Sequence, residues 1–236
     1  MSKHRPHLYL AGGWEDDSIP LDQGARHHLV TVLRLRDGDS VTYTDGRGTV
    51  GLGTFAGDAV TRGNEVALER PRPMLTMAVA PPKATERSRM VVEKLAEMGV
   101  DRLQWLDTVH VEGRVPKIPK RDAWRSNALE QSQGAWLLDV ASPVSLDDLA
   151  QDAVLWVATP GGEQPQPVSG PLVVAVGPEG GFAEHEIPLN AQRIGLGDRI
   201  LRVETAVVVS AALALYHLGR SATRSSGLEA VLGAPS

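Results

Sequence analysis

Short apolar–polar alternations fill the first third of the chain, and longer blocks of helical period follow. Residues 41–44 and 49–55 are β-prone runs on either side of Asp45-Gly46-Arg47-Gly48. An Asp-Gly pair between such runs predicts a tight hairpin whose turn needs positive φ. Residues 65–68 follow a second turn, Arg62-Gly63-Asn64. Before both, residues 24–35 set Leu29, Val32, Leu33 and Leu35 at roughly helical spacing and end in the turn Arg36-Asp37-Gly38-Asp39. These signals predict a small, mostly β domain over residues 1–72, closed as a barrel because short strands need closure to manage their edges.

Arg70-Pro71-Arg72-Pro73 reads as a linker, since each proline pushes its predecessor out of the α region. Beyond it, over residues 73–236, strands and helices alternate. Residues 75–80 predict a strand, and Thr85 is expected to cap a helix running through Val91, Val92, Leu95 and Met98 to a stop at Gly99. Strands are expected at 103–106 and 154–158, and a helix at 121–133. The run Leu172–Val176 is continuously apolar, as suits a strand buried on both faces. Residues 204–218 predict a helix that is apolar almost all round, too apolar for a monomer's surface, with core burial and dimer contact as the two accounts of it. Alternation of this kind implies an α/β domain with a mainly parallel sheet. The small, polar tail over residues 221–236 is expected to be frayed.

Composition sharpens this reading at two points. None of the 236 residues is cysteine, which excludes disulfides, thiolate metal sites and thiolate nucleophiles. The net charge of −5 is segregated: residues 126–198 hold one arginine against ten carboxylates, while residues 73–125 hold ten Lys or Arg against seven carboxylates. The acidic sum therefore leaves room for an anion-binding surface elsewhere. With 42% hydrophobic residues and neither a membrane-length apolar run nor a signal-like N-terminus, the chain reads as globular and cytoplasmic. The seven histidines make no convincing metal site, so none is expected.

Two segments carry candidate chemistry. In Val173-Val174-Ala175-Val176-Gly177-Pro178-Glu179-Gly180-Gly181-Phe182 a buried strand runs into a loop with three glycines. Ligands of open α/β sheets bind beyond the carboxyl ends of strands, where glycines let the backbone approach them. The loop is neither a Walker A sequence nor a dinucleotide fingerprint. Read alone, it is equally an ordinary strand-to-helix turn, with Glu184 and Glu186 favouring the next helix's N-terminus. The second segment, residues 194–206, joins a short strand through Gly195, Gly197, Arg199 and Arg202 to Glu204-Thr205 at the head of the long apolar helix.

Taken together, Gly-Pro-Glu-Gly-Gly-Phe and the later Leu-Gly-x-Arg-Ile-Leu-Arg-x-Glu-Thr-Ala closely resemble the SPOUT class of RNA methyltransferases. Within that class the chain is similar to the ribosomal RNA small subunit methyltransferase E family. His27-His28-Leu29, Val32-Leu33-Arg34, Gly38-Asp39, Lys83, Glu93-Lys94, Glu97-Met98-Gly99-Val100 and Glu130-Gln131-Ser132 agree with it in order along the chain. The resemblance implies a PUA-like RNA-binding β-barrel followed by a SPOUT domain with a C-terminal trefoil knot. It also implies a homodimer that binds S-adenosylmethionine and methylates N3 of a uridine in 16S ribosomal RNA, in the decoding region of the small subunit. By carry-over, the cofactor would touch Gly177, Pro178, Glu179, Gly180 and Gly181 in one loop. In the other it would touch Leu196, Gly197, Ile200, Leu201, Arg202 and Thr205, with Thr159-Pro160 as a third loop.

The missing cysteine fits N3 chemistry. Methylation at C5 of a pyrimidine generally proceeds through covalent attack on C6, whereas N3 attacks a sulfonium methyl directly once deprotonated. The catalytic task is then positioning and favouring the anionic uracil. Arg202 is the first choice for that electrostatic role, with Glu204 or Glu179 to orient it or accept a proton. Arg26, His28, Arg34, Arg36, Lys83, Arg87 and Lys94 are candidate RNA contacts.

Two departures from the family pattern stand out. Asp107-Thr108-Val109-His110-Val111 replaces an acidic-Arg-Ser cluster, and Gln133-Gly134-Ala135 follows Glu130-Gln131-Ser132 where an arginine is usual. Both fall on the expected RNA side, with Arg114 or His110 as possible compensation. Alternatives therefore stay open: another RNA nucleotide or a ribose 2′-hydroxyl as target, or a non-catalytic RNA-binding or ribosome-assembly protein.

Overall fold

Among the described residues, twelve strands form two six-stranded sheets, each belonging to its own compact unit. The computed structural model describes residues 5–12, 14–149, 153–221 and 231. Apart from Ser221 and Val231, the tail expected to fray lies outside the described residues. One unit comprises the described residues up to Arg70 together with Leu129–Leu137 and Val231; the other comprises Pro71–Ala128 and the described residues from Leu138 to Ser221.

In the first unit, β1 (His7–Tyr9), β2 (Ser18–Pro20), a short α1 (Gln23–His27), β3 (Ser40–Thr44), β4 (Thr49–Ala56), β5 (Ala59–Thr61) and β6 (Glu65–Ala67) follow one another. The sheet runs β1-β3-β4-β5-β2, with β6 sharing the long β4. The expected hairpin is present: β3 and β4 pair antiparallel across Asp45–Gly48. Leu8, Ile19, Leu29, Val41, Tyr43, Phe55 and Val60 form the core. Tyr43 is wholly buried, and a Cβ at Gly51 would stand 2.2 Å from its ring, so this strand position has to be glycine. The Tyr43 hydroxyl donates to Glu65 Oε1 at 2.7 Å, and Arg62 clamps the same carboxylate at 2.7 and 2.8 Å. Burial first, then the bond to Glu65, pushes the phenol up to about 12.

The segment Leu129–Leu137 completes this unit. The His7 ring reaches Gly134 O with Nε2 at 3.0 Å, and Glu130 Oε1 accepts the Tyr9 N–H at 2.9 Å. The helical spacing over residues 24–35 is realised in part, as a helical stretch from Gln23 to Val32. Only α1 and a π-helical turn, His28–Val32, form, and Arg34 turns to a φ of 55°. The reason is the small buried payload: Leu29 is buried, while Val32 and Leu33 stay exposed, so no continuous apolar stripe holds a longer helix.

The second unit contains β7 (Leu75–Val79), α2 (Thr85–Glu97), β8 (Arg102–Leu106), α3 (Ile118–Ser132), whose last turn belongs to the first unit, β9 (Asp139–Val144), β10 (Val154–Glu163), β11 (Leu172–Val176), β12 (Gln192–Ile194) and α4 (Val203–His217). The strand order is β12-β10-β11-β7-β8-β9, and every neighbouring pair is parallel. All five residues of β11 are buried, as its unbroken apolar run predicts. Thr85 is a correction: Ala84 occupies the cap position without any side-chain bond, and Thr85 is the first helical residue. After the Gly180-Gly181-Phe182 loop no long helix forms either, only one 3-10 turn at Glu184–Glu186.

α4 lays Val203, Ala206, Val207, Ala211, Ala214 and Leu215 into the core and leaves Val209 and Tyr216 exposed. Just after it, Arg220 enters a buried ion pair with Asp101. Its guanidinium also donates to Pro73 O at 3.1 Å and Gly99 O at 2.7 Å, while Asp101 Oδ2 accepts the Leu75 N–H at 2.8 Å. Among the described residues no helix is long and apolar enough to cross a membrane.

Candidate active site

A cavity of about 290 Å³ opens at the carboxyl ends of β10 and β11. Its walls are Ala158, Thr159 and Pro160 from β10, Val176 to Phe182 from β11 and its loop, Leu196, Gly197, Arg199, Ile200 and Leu201 before α4, and Val203 and Ala206 inside α4. The two glycine segments, remote in sequence, therefore meet with Thr159-Pro160 at one place. Here β10 does not stop at Ala158 as expected. It continues through an irregularity to Glu163, and Glu163 O accepts the Gly195 N–H at 2.9 Å, which ties the second loop to the end of β10.

Two glycines in the walls answer to backbone geometry. Gly181 has φ 74° and Gly197 φ 117°, and a Cβ at either would meet no atom within 4 Å. Glycine is required there by conformation, and the open space lets a ligand approach the backbone, although the Gly181 N–H itself donates to Pro178 O at 2.9 Å. The apolar side chains of Pro160, Pro178, Phe182, Leu196, Ile200 and Leu201 flank them. Ile200 is 91% exposed, an unusual position for so apolar a side chain.

Of the carry-over residues, Arg202 and Thr205 do not line this cavity. Arg202 is the exposed cap residue of α4, and Thr205 is exposed in its first turn. Phe182, Arg199, Val176, Ala158, Val203 and Ala206 line it without having been carried over as cofactor contacts; Phe182, which closes the Gly-Gly-Phe motif, and Arg199, in the second segment, were legible from sequence. Glu204 is buried, with Oε1 3.6 Å from Arg87 Nε and with Oε2 lacking a hydrogen-bond partner among the described residues. Arg87 Nη1 lies 3.2 Å from Oε1 of the exposed Glu179. Two of the three candidate catalytic residues thus share a guanidinium expected to contact RNA.

The remaining candidate RNA contacts are spread over both units. Arg26, His28, Arg34 and Arg36 are exposed in the first, where Arg26 Nε donates to Gly57 O at 3.2 Å. In the second, Lys83 pairs with Glu112 at 2.7 Å, which holds the amine above its ordinary value and the carboxyl below its own, and Lys94 pairs with Glu97 at 2.7 Å. Among the described residues no cluster of three His, Asp or Glu side chains is arranged to hold a metal ion.

The parallel α/β sheet and its carboxyl-end cavity are those of a SPOUT-class RNA methyltransferase, a class carried by the chain's matches to known proteins. Residues 69–215 match the RNA methyltransferase domain family, and residues 21–58 match the RNA methyltransferase PUA domain family. The chain belongs to the ribosomal RNA small subunit methyltransferase E family. It is 30% identical over 219 residues to the Synechocystis sp. protein of that name, covering 83% of this chain and 72% of the relative. Among solved structures it is similar to a probable rRNA-methyltransferase from Porphyromonas gingivalis, at 26% identity and a TM-score of 0.78, covering 91% of this chain and 98% of that one. It also shares the fold of a ribosomal RNA small subunit methyltransferase E from Neisseria gonorrhoeae bound to S-adenosyl methionine, at 22% identity and a TM-score of 0.77, covering 90% and 98%.

Proposed function

We propose that this chain is an S-adenosylmethionine-dependent methyltransferase that methylates N3 of a uridine in 16S ribosomal RNA, in the decoding region of the small subunit. In this reading it is a cytoplasmic homodimer, its first 72 residues an RNA-binding module and the rest a catalytic domain with a trefoil knot in its C-terminal part. The observation that carries the reading is the cavity at the carboxyl ends of β10 and β11, walled by both glycine segments. Its chemistry suits an adenosyl group: apolar walls for the flat faces of a base, and backbone N–H and C=O groups for its edges. The bound cofactor supplies an electrophilic methyl group on a sulfonium.

Every other part is played by the chain. Residues 177–182, 196–201 and 159–160 hold the cofactor. Arg202 favours the anionic form of the uracil, and Glu204 and Glu179 act through the Arg87 they share. Exposed Val209 and Tyr216 on α4 and the exposed Ile200 supply apolar surface for the second copy. Isothermal calorimetry with S-adenosylmethionine tests the class: no heat at millimolar cofactor overturns it. Mass-spectrometric mapping of 16S ribosomal RNA from a deletion strain tests the target, the expected result being the loss of one N3-methyluridine. Loss of a different modification moves the target, and Arg202→Ala with undiminished transfer removes the role given to Arg202.

A further inference from the structure

A second cleft, of about 950 Å³, lies beside the cavity and shares Glu179 and Gly180 with it. Its other walls are Lys83, Ala84 and Arg87 at the start of α2 and the loop from Val109 to Glu112. That loop is fastened at two points. Glu186 accepts the Val109 N–H at 2.8 Å with one oxygen and the Ala183 N–H at 2.7 Å with the other. The His110 ring places Nδ1 3.1 Å from Gly181 O. Gly180 runs close against it, since a Cβ there would stand 3.1 Å from His110 Cβ.

The tautomer follows from the partner. A carbonyl oxygen only accepts, so Nδ1 carries the hydrogen and Nε2 of the neutral ring keeps its lone pair. Nε2 has no hydrogen-bond partner among the described residues. Each carboxylate near the cleft holds a cation or amides through at least one oxygen: Glu112 Oε2 pairs with Lys83, Glu179 Oε1 with Arg87, and Glu186 accepts two backbone amides. His110 is thus a ring held by one nitrogen to the loop that walls the cavity, with the other nitrogen left as an acceptor. That is the arrangement of an oriented general base.

We propose that this cleft receives the target uracil and that His110 removes its N3 proton. The proposal rests on the methyltransferase reading above. The N3–H proton passes to His110 Nε2, and N3 uses the freed electron pair to bond the methyl carbon. The carbon–sulfur bond breaks, its electron pair stays on sulfur, and the sulfonium charge is lost. The imidazolium, still donating to Gly181 O through Nδ1, then gives its proton to water. Lys83 and Arg87 stand on the same cleft and offset the negative charge that develops on the base. The charged groups around the imidazole are Glu112 on its own loop, Lys83 and Arg87 from the α2 side, and Glu179 and Glu186 from the glycine-loop segment.

The test uses the full chain, with small subunits purified from a deletion strain as substrate. His110→Gln and His110→Ala are expected to lower the single-turnover rate by about 10²–10⁴-fold and to remove the acidic limb of the pH–rate profile, with cofactor affinity by calorimetry unchanged. Added imidazole restores part of the rate in His110→Ala. Independently of activity, ¹⁵N-histidine spectra are expected to show His110 as the Nδ1–H tautomer, with its signals shifting when a uridine oligonucleotide is added. Full rate with an intact acidic limb in both variants overturns the proposal, as does an Nε2–H tautomer. If the unaltered protein binds no cofactor, the methyltransferase reading fails and takes this proposal with it; if it binds cofactor and the variants keep the rate, only His110 is lost.

Discussion

Arg87 Nη1 lies 3.2 Å from Glu179 Oε1, and through its Nε, 3.6 Å from Glu204 Oε1, the same side chain joins α2 to the head of α4. One guanidinium therefore ties a loop of the cavity to a helix that the core holds fixed. Arg87 is about one-third exposed, so solvent screens both contacts, while Glu204 is buried and depends on this partner. Arg87→Ala is expected to cost about 1–3 kcal/mol, mostly from the carboxylate left behind. A double-mutant cycle with Glu204→Gln, read by urea denaturation, is expected to give a coupling of about 1 kcal/mol. Strict additivity of the two substitutions would show that the contact contributes nothing.

The Arg220–Asp101 pair predicts a larger effect. Both side chains are almost fully buried, and Arg220 also satisfies two carbonyls. Arg220→Ala strands Asp101 and is expected to cost about 3–5 kcal/mol. Asp101→Asn, which keeps an acceptor for the Leu75 N–H, is expected to cost less. Equal urea midpoints for Arg220→Ala and the parent would refute this.

His7 makes the first unit sensitive to acid. Nε2 donates to Gly134 O at 3.0 Å, and Nδ1 accepts from the Thr42 hydroxyl at 3.0 Å. Burial holds the imidazole below its ordinary 6.5, the Gly134 carbonyl opposing this in part. The unfolded chain therefore takes up the proton first as pH falls through 6.5, and stability declines until the folded ring also protonates. Glu130 works in the opposite sense. Burial raises its carboxyl above the ordinary 4.5, so the folded chain protonates first there and regains stability as pH falls through the raised value. Urea midpoints measured across this range are expected to drop below pH 6.5, and the drop is expected to flatten in His7→Gln.

Gly197 separates binding from folding in the cavity. At φ 117° an alanine is strained but meets no neighbour, so the loop has to move for it. Gly197→Ala is expected to weaken S-adenosylmethionine binding about tenfold, and to cost only about 1–2 kcal/mol of stability. Calorimetry and urea denaturation on the same preparation check both values. Unchanged cofactor affinity would take Gly197 out of the binding loop.

Local signals carried much of this fold. The Asp-Gly hairpin, the unbroken apolar strand β11 and the apolar helix α4 are all written in spacing and composition. What stayed hidden depends on partners far along the chain. Thr159-Pro160-Gly161-Gly162 reads as a turn, and these four residues do bulge out of β10; what stayed hidden is that Ala158 and Glu163, on either side of the bulge, both pair with Ile194. Arg87 and Glu204 had separate local accounts, as a candidate RNA contact and as a catalytic candidate at the head of the apolar helix. Only the fold sets them 3.6 Å apart. β9 escaped notice because Pro143 argues against a strand, and it is tolerated there because β9 is an edge. His110 drew attention as a departure from the family pattern; its bond to Gly181 O is visible only in three dimensions.

The first unit draws a stretch of its own structure from the middle of the gene. His7 and Tyr9 are fastened to Gly134 and Glu130, which follow them by 127 and 121 positions. A fragment ending at the proline-rich linker would encode the β-strands without these fastenings, leaving one nitrogen of a buried imidazole and a strand amide without these partners. The β-module is therefore not a transplantable cassette. Swapping it between relatives requires exchanging the end of α3 with it, and a splice that respects only the linker builds neither parent's version.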